Sequence, residues 1–377
     1  MIYFDNNATT PLIPEVRDVM APFWDQAYGN PSSVHSLGTA ARVALDSARK
    51  KLAGVLGVTT GELIFTGCGS EANNQAIVGT LLTHFPSTGP TRNLVISDIE
   101  HPAIKETAAW AAARFGFELR VAPIRFKGNN VDTAPFLELI DTHTVLVSVM
   151  MANNETGLVL PLAPIFAAAK AVGATCHTDA VQGLGKLTLN PKALGVDLMS
   201  FSAHKFHGPK GVGGLYIRRG QKLEPLIHGG PQENTRRAGT ENVAFIVGMA
   251  EAAAIAVETS CDGVRQVRDY FETRLEQFGN LVQINFKDMP RTPNASSVQF
   301  RKQDGNLMLI KLDRGGIAIS TGAACSSGSL SPSKGLLAMG LSEKEAQSTL
   351  RFSFSKLNTC AEVDACMAVL SKLVRPR

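Results

Sequence analysis

Short apolar runs rich in β-branched residues alternate along the chain with alanine-rich stretches of helical spacing. Four of the runs predict buried strands that end in polar or glycine-rich turns: residues 63–66, 93–97, 145–149 and 174–178. The stretches between them predict helices: residues 40–56, 72–83, 104–115 and 162–172. This alternation favours a parallel sheet covered by helices on both faces. Ligands of such sheets bind beyond the carboxyl ends of the strands, so polar clusters at those positions are the candidate chemistry.

The pattern changes after about residue 256. A charged helical stretch at 263–278 precedes three short apolar runs and a further helix: residues 298–300, 317–320, 350–354 and 343–348. This texture predicts a smaller α/β domain that closes over the larger one, with the extreme N-terminus packed against it. We therefore expect a large domain at 15–256 and a small domain formed by 1–14 together with 257–377.

The composition of the chain argues against several classes of function. The chain has 377 residues, 44% hydrophobic and 19% charged, with a formal net charge of +4, which is enough apolar material for a sizeable core. No basic stripe with interleaved aromatics indicates nucleic-acid binding. The six cysteines contain no C-x-x-C pair, so neither a zinc ribbon nor a redox pair is expected, nor any other metal site. No signal peptide and no apolar run of ~20 residues is seen, so we expect a soluble cytoplasmic protein without membrane contact.

Two clusters after predicted strands suggest a bound phosphate and a reactive lysine. The segment GCGSEANN at 67–74 turns from a strand into a helix, which presents backbone N–H groups to an anion. Ser70 is equally compatible with a plain helix N-cap. The segment SFSAHK at 200–205 places Lys205 beside small residues and a glycine run. A partly desolvated lysine there could form a Schiff base, and a surface lysine in a loop is the alternative.

Three further clusters lie at equivalent positions. Asp179, at the end of a buried run, needs a cationic partner such as a protonated pyridine nitrogen, or else caps the next helix. His101 could stack on a flat ring and transfer protons, although a lone histidine is more often structural. The segment ANNETG at 152–157 offers side-chain amides and, taken singly, is a turn. Five such clusters in succession, each at a strand-to-helix switch, indicate one shared site.

The chain resembles the NifS/IscS-type cysteine desulfurases, a branch of the fold-type I, class V aminotransferase-like enzymes that use pyridoxal 5'-phosphate (PLP). The matching segments run through nearly the whole chain: YFDNNATT (3–10), GNPSS (29–33), EANN (71–74), EHP (100–102), NNETG (153–157), HTDAVQ (177–182), SAHK (202–205), RAGTEN (237–242) and AACSSG (323–328). The resemblance implies a large domain with a mostly parallel seven-stranded sheet between helices and a small α/β C-terminal domain. Cys68 stands where the family usually has glycine.

The resemblance also implies roles for individual residues. Lys205 would hold PLP through an imine and later move the substrate Cα proton, Asp179 would pair with the ring nitrogen, and Gln182 with the ring hydroxyl. His101 would stack on the ring and manage the proton of the substrate thiol. The phosphate would be held by several residues, the last of them from a partner subunit of a homodimer: Gly69, Ser70, Ser202, His204 and Thr240. Asn154, next to the cofactor, and Arg351 would hold the substrate carboxylate.

Cys325 decides the expected reaction. It lies in a segment of small polar residues at 320–329, which favours an exposed, mobile nucleophile over a buried apolar cysteine. The resemblance implies that Cys325 takes sulfur from L-cysteine as a persulfide, leaving L-alanine, and passes it to an acceptor such as an iron–sulfur scaffold protein. Two alternatives remain open at this point. One is a PLP lyase or aminotransferase of the same fold that does not use Cys325, and the other is a non-catalytic assembly scaffold.

Overall fold

The computed structural model describes residues 1–85, 89–321 and 331–374. Within these residues the strands are β1 Ile2–Tyr3, β2 Leu63–Thr66, β3 Asn93–Ser97, β4 Glu118–Ala122, β5 Phe126–Lys127, β6 Asn130–Val131, β7 Thr144–Ser148, β8 Thr175–Asp179, β9 Leu198–Ser202, β10 Gly213–Ile217, β11 Val282–Ile284, β12 Ala295–Phe300, β13 Ile317–Ala318, β14 Ser320–Thr321 and β15 Thr349–Ser353. The helices are α1 Pro14–Met20, α2 Pro22–Asp25, α3 Ser36–Leu56, α4 Gly69–Leu82, α5 Pro102–Phe115, α6 Ala134–Leu137, α7 Leu162–Ala171, α8 Pro191–Leu194, α9 Val243–Glu258, α10 Asp262–Leu275, α11 Gly305–Arg314, α12 Lys334–Ala338, α13 Glu343–Gln347 and α14 Cys360–Leu373.

A seven-stranded sheet of order β2-β10-β9-β8-β7-β3-β4 forms the centre of the fold. All neighbouring strands are parallel except β10, which runs antiparallel to both β2 and β9. The prediction of a mostly parallel seven-stranded sheet is therefore confirmed. Strands β2, β3, β7, β8 and β9 are buried along their whole length, as expected of a sheet with both faces covered.

Alternate residues of β3 enter separate cores on the two faces of this sheet. Leu94 and Ile96 of β3 pack with α4 and α5, whereas Val95 between them packs on the opposite face with α3, α7 and α9. This two-residue period follows from the pleat of a strand. Burial on both faces fixes the strand register, because a slip of one residue would exchange the two sets of side chains.

A second core lies around a four-stranded antiparallel sheet of order β11-β12-β15-β14. Phe271 of α10 packs against Phe352 of β15 and against Phe354, and Phe4 packs against Phe354. Strand β1 pairs in parallel with β13 through Ile2 and Ile317. The N-terminus therefore contributes to this second core. The division into domains at 15–256 and at 1–14 with 257–377 stays a prediction.

Strands β2 and β3 have the predicted bounds, and the boundaries of the other predicted elements differ by up to four residues. Strands β7 and β8 lie one residue away from the predicted runs at 145–149 and 174–178. Helix α4 begins at Gly69 and not at 72, with Cys68 as its N-cap, so the alternative that Ser70 is the N-cap is wrong. The charged stretch predicted at 263–278 is helix α10 followed by a 3₁₀ segment, Glu276–Leu281.

Among the described residues, no single helix is both long and apolar enough to cross a membrane. One sharply bent pair of helical segments, Val243–Glu258 with Asp262–Leu281, is long and apolar enough when its two parts are taken together, by length and composition alone.

Candidate active site

A cleft of about 360 Å³ opens at the carboxyl ends of β2, β3, β7, β8 and β9. Parallel strands bring these ends to one edge, which is where α/β sheets bind ligands. The cleft is lined by Asn7, Ala8, Cys68, Gly69, Ser70, Asn73, His101, Met150, Ala152, Asn154, Asp179, Val181, Gln182, Ser202, His204, Lys205 and Arg351. Every site residue predicted from sequence that the structure describes lines it, except Thr240.

Asp179 is the last residue of β8, and its side chain is held at the base of the cleft. The residue is 6% exposed. Its Oδ1 accepts a hydrogen bond from Val181 N at 2.9 Å and its Oδ2 accepts one from Asn73 Nδ2 at 2.7 Å. The residues after it form turns, so the alternative that Asp179 caps a following helix is wrong. A buried carboxylate with two donors retains acceptor capacity for a cation in the cleft.

His101 is the N-cap of α5 and also faces the cleft. Its Nδ1 accepts a hydrogen bond from Ala103 N at 3.1 Å. Burial lowers the pKa of His101; the Asp179 carboxylate opposes this and the Lys205 charge adds to it. Because Nδ1 accepts, the neutral ring carries its proton on Nε2. His101 therefore has a structural contact, the cap of α5, and also a position in the cleft where it could serve a cofactor.

Lys205 follows β9 in a 3₁₀ turn, Ala203–Lys205. Its Nζ donates to the carbonyl oxygens of Asn7, at 2.7 Å, and Ala8, at 2.8 Å. The neighbouring His204 has its pKa lowered to about 4, chiefly by burial and then by the Lys205 charge. His204 is therefore a neutral ring at neutral pH, and its Nδ1 lies 3.1 Å from Thr9 Oγ1. The N-terminal segment thus packs directly against the lysine turn.

Asn7 joins several residues of the site, and sequence reasoning gave it no role. Its carbonyl oxygen accepts from Gln182 Nε2 at 3.0 Å as well as from Lys205 Nζ, and its Nδ2 donates to the Asn154 carbonyl oxygen at 3.1 Å. Lys186 Nζ donates to Asn7 Oδ1 at 3.0 Å and to Gln182 Oε1. The only sequence signal was the position of Asn7 within the segment YFDNNATT.

Arg351 reaches the cleft from β15, on the second core, and is 2% exposed. Its Nη2 donates to Asp5 Oδ1 at 2.6 Å and its Nη1 to the Asn154 carbonyl oxygen at 2.9 Å. The guanidinium is therefore held in a fixed orientation, and part of its charge is balanced inside the protein. Within the described residues its Nε is buried and has no hydrogen-bond partner.

The opposite end of the cleft is shaped for an anion. A Cβ added at Gly69 would lie 2.9 Å from Val181 Cγ2 and 3.2 Å from Ser202 Cβ, so only glycine permits this close approach. The N-terminus of α4 supplies N–H groups and the positive end of the helix dipole. Ser70, Ser202 and the neutral His204 add donors beside it. This donor set fits a phosphate group.

Thr240, also predicted for the site, does not line this cleft. Thr240 is exposed and follows Arg237, whose Nε donates to Glu71 Oε1 at 2.9 Å on the first turn of α4. Cys325 lies outside the described residues.

Comparisons with known proteins assign the chain and its fold to one family. The model of the class-V aminotransferases matches residues 2–366. The chain therefore belongs to the class-V aminotransferase family, and the predicted resemblance is confirmed.

Relatives within the family carry a more particular name. A protein of Dictyoglomus turgidum named cysteine desulfurase IscS is 40% identical over 376 residues, 99% of this chain and 94% of that protein. A solved structure of a NifS-like protein is 37% identical, with a TM-score of 0.90 over 99% of this chain and 98% of the other. A structure described as SspA in complex with cysteine is 32% identical, with a TM-score of 0.82 over 94% and 99%.

Proposed function

We propose that this protein is a PLP-dependent cysteine desulfurase that converts L-cysteine to L-alanine and retains the sulfur on Cys325. The observation that carries the proposal is the cleft itself, where Lys205, Asp179 and His101 meet at the carboxyl edge of the sheet beside a buried Arg351. Relatives about 40% identical over nearly the whole chain, named cysteine desulfurases, support it.

The cleft chemistry fits PLP at both ends. In this proposal Asp179 pairs with the ring nitrogen, Gln182 with the ring hydroxyl, and His101 stacks on the ring. Gly69, Ser70, Ser202 and His204 hold the phosphate, with Thr240 supplied by the partner subunit of a homodimer. PLP, when bound, supplies an electron sink that makes the substrate Cα proton acidic and weakens the bond from Cβ to sulfur.

The chain's own groups position the amino acid and move its protons. Arg351, with Asn154, binds the α-carboxylate, and Arg351 needs no reorientation because Asp5 and Asn154 already fix its plane. Lys205 would hold the cofactor covalently, and its amine would move the substrate Cα proton. His101 donates from Nε2 toward the substrate sulfur, since its Nδ1 is engaged by the first turn of α5.

The sulfur step forms one bond and breaks one. The Cys325 thiolate attacks the substrate sulfur, an S–S bond forms, and the Cβ–S bond breaks with its electron pair returning to the carbon fragment. That fragment takes up a proton and leaves as alanine. The resulting persulfide is the form in which sulfur passes to an acceptor, for which we propose a protein of iron–sulfur cluster assembly.

Mass spectrometry after incubation with L-cysteine tests this function. We expect one additional sulfur atom on Cys325 and release of alanine. Cys325→Ser should lose both and keep the visible absorption of bound PLP, whereas Cys360→Ser, a change at an exposed cysteine on α14, should lose neither. Unchanged alanine production by Cys325→Ser would instead favour a lyase that does not use this thiol. Absence of PLP binding by the wild-type chain would favour a scaffold.

A further inference from the structure

The carboxylate of Asp179 is oriented by Asn73, a residue of the segment EANN (71–74) to which no role has been given. Asn73 is in the second turn of α4 and is 1% exposed. Its Nδ2 donates to Asp179 Oδ2 at 2.7 Å, which spans from the helix to the end of β8. The second donor to Asp179 is the backbone N–H of Val181, which among substitutions only proline would remove.

The amide of Asn73 has only one orientation that is compatible with an ionised neighbour. If the amide were reversed, its oxygen would face a carboxylate oxygen at 2.7 Å and both atoms would be acceptors. In the observed orientation Oδ1 of Asn73 is buried and, among the described residues, has no hydrogen-bond partner. A buried, unpaired acceptor is unfavourable, so this asparagine is not explained by stability alone.

The geometry points to Asn73 as a positioning residue that holds the Asp179 carboxylate in the plane needed to accept a hydrogen bond from the protonated nitrogen of the PLP ring. This inference rests on the proposed function. Asn73 Nδ2 occupies one acceptor position on Oδ2 of Asp179, and Val181 N occupies one on Oδ1. Each carboxylate oxygen keeps a further acceptor position that can face the PLP ring nitrogen. A hydrogen bond to the charged form of an acid favours that form. With Asn73 removed, Asp179 should keep more of the shared proton and leave the ring nitrogen less protonated.

Asn73→Leu removes the donor with little change in volume, and two measurements follow its effect. Titration of the apoprotein with PLP should show roughly ten- to hundredfold weaker binding, the range for a lost hydrogen bond to a charged group. The ¹⁵N signal of ring-labelled PLP bound to the protein should move toward that of the unprotonated ring. A merely structural role for Asn73 would not move this signal.

Thr80→Val is the matched control for loss of a buried polar group on the same helix. Thr80 is fully buried two turns further along α4, and its Oγ1 donates to the Ala76 carbonyl oxygen. This variant should keep wild-type PLP affinity and the wild-type ¹⁵N signal. If Asn73→Leu behaves like Thr80→Val in both measurements, the inference is overturned.

Asn73→Asp covers the case in which the leucine variant fails to fold. It places two carboxyl groups at hydrogen-bond distance, where they should share one proton and lose it as the pH rises. Its PLP affinity should therefore fall with rising pH more steeply than that of the wild type. An identical pH dependence in the two proteins would overturn the inference.

Reduction with borohydride separates this inference from the proposed function. Wild-type protein should retain PLP on Lys205 after reduction. If it does, and the Asn73 variants match the wild type, only the role of Asn73 is wrong. If wild-type protein retains none, both proposals fall.

Discussion

Glu100 allows a quantitative test of how burial sets charge beside the cleft. The residue is 4% exposed, and its Oε1 accepts from Ser97 Oγ at 2.5 Å and Met150 N at 2.8 Å. Burial, reinforced by the Asp179 charge, raises the pKa of Glu100 to about 8 against the opposing hydrogen bonds and the Lys105 charge. The folded protein therefore holds this proton at neutral pH. Glu100→Gln mimics the protonated carboxyl, because glutamine has nearly the same shape and cannot ionise.

The sign and size of the effect follow from proton linkage. The carboxyl has an ordinary pKa of 4.5 in the unfolded chain and about 8 in the folded one. Between those values the folded chain binds more protons, so the contribution of Glu100 to stability is complete below pH 4.5 and falls as the pH rises toward 8. From pH 6 to pH 8 the calculated loss in the free energy of unfolding is about 2 kcal/mol.

Urea unfolding of the apoprotein at pH 6 and pH 8 measures this loss. Wild-type protein should lose about 2 kcal/mol more over this interval than Glu100→Gln, since the amide cannot ionise. Glu106→Gln, an exposed change on the neighbouring helix α5, should keep the wild-type pH dependence. Equal pH dependence in wild type and Glu100→Gln would show that Glu100 is ionised in the folded state, and the argument from burial would be wrong.

Two further substitutions test contacts around the cleft. Asp5→Ala leaves the buried guanidinium of Arg351 without its carboxylate partner and should lower the free energy of unfolding by about 3 kcal/mol, measured by urea unfolding; a change below about 0.5 kcal/mol would show that the pair is dispensable. Gly213→Ala places a Cβ 2.6 Å from the carbonyl carbon of Cys68, so it should shift the start of α4, weaken PLP binding and cost about 1–3 kcal/mol of stability. Gly61→Ala, where a Cβ meets nothing within 4 Å, is its control, and equal PLP affinity in the two variants would contradict the steric argument.

Local pattern predicted four of the seven strands of the central sheet and the polar clusters that follow strands at its carboxyl edge. Strands β2 and β3 coincide with the predicted runs, because a strand buried on both faces is a continuous apolar segment bounded by polar turns. Asp179 and Lys205 could be placed together from their positions after such runs, since parallel strands end at a common edge. The start of α4 was predicted three residues late, because the glycines at 67 and 69 have the composition of a turn although the second opens the helix.

The sequence alone determined which side chains follow each strand and therefore the chemical groups at that edge. Only the tertiary structure decided which distant groups orient them. The contacts of Asn7 with Lys205 and of Asp5 with Arg351 join residues 198 and 346 positions apart. Asn73 reaches Asp179 across 106 positions. Periodicity reports only the neighbours within one strand or helix, and these pairs form because separate elements pack against one another.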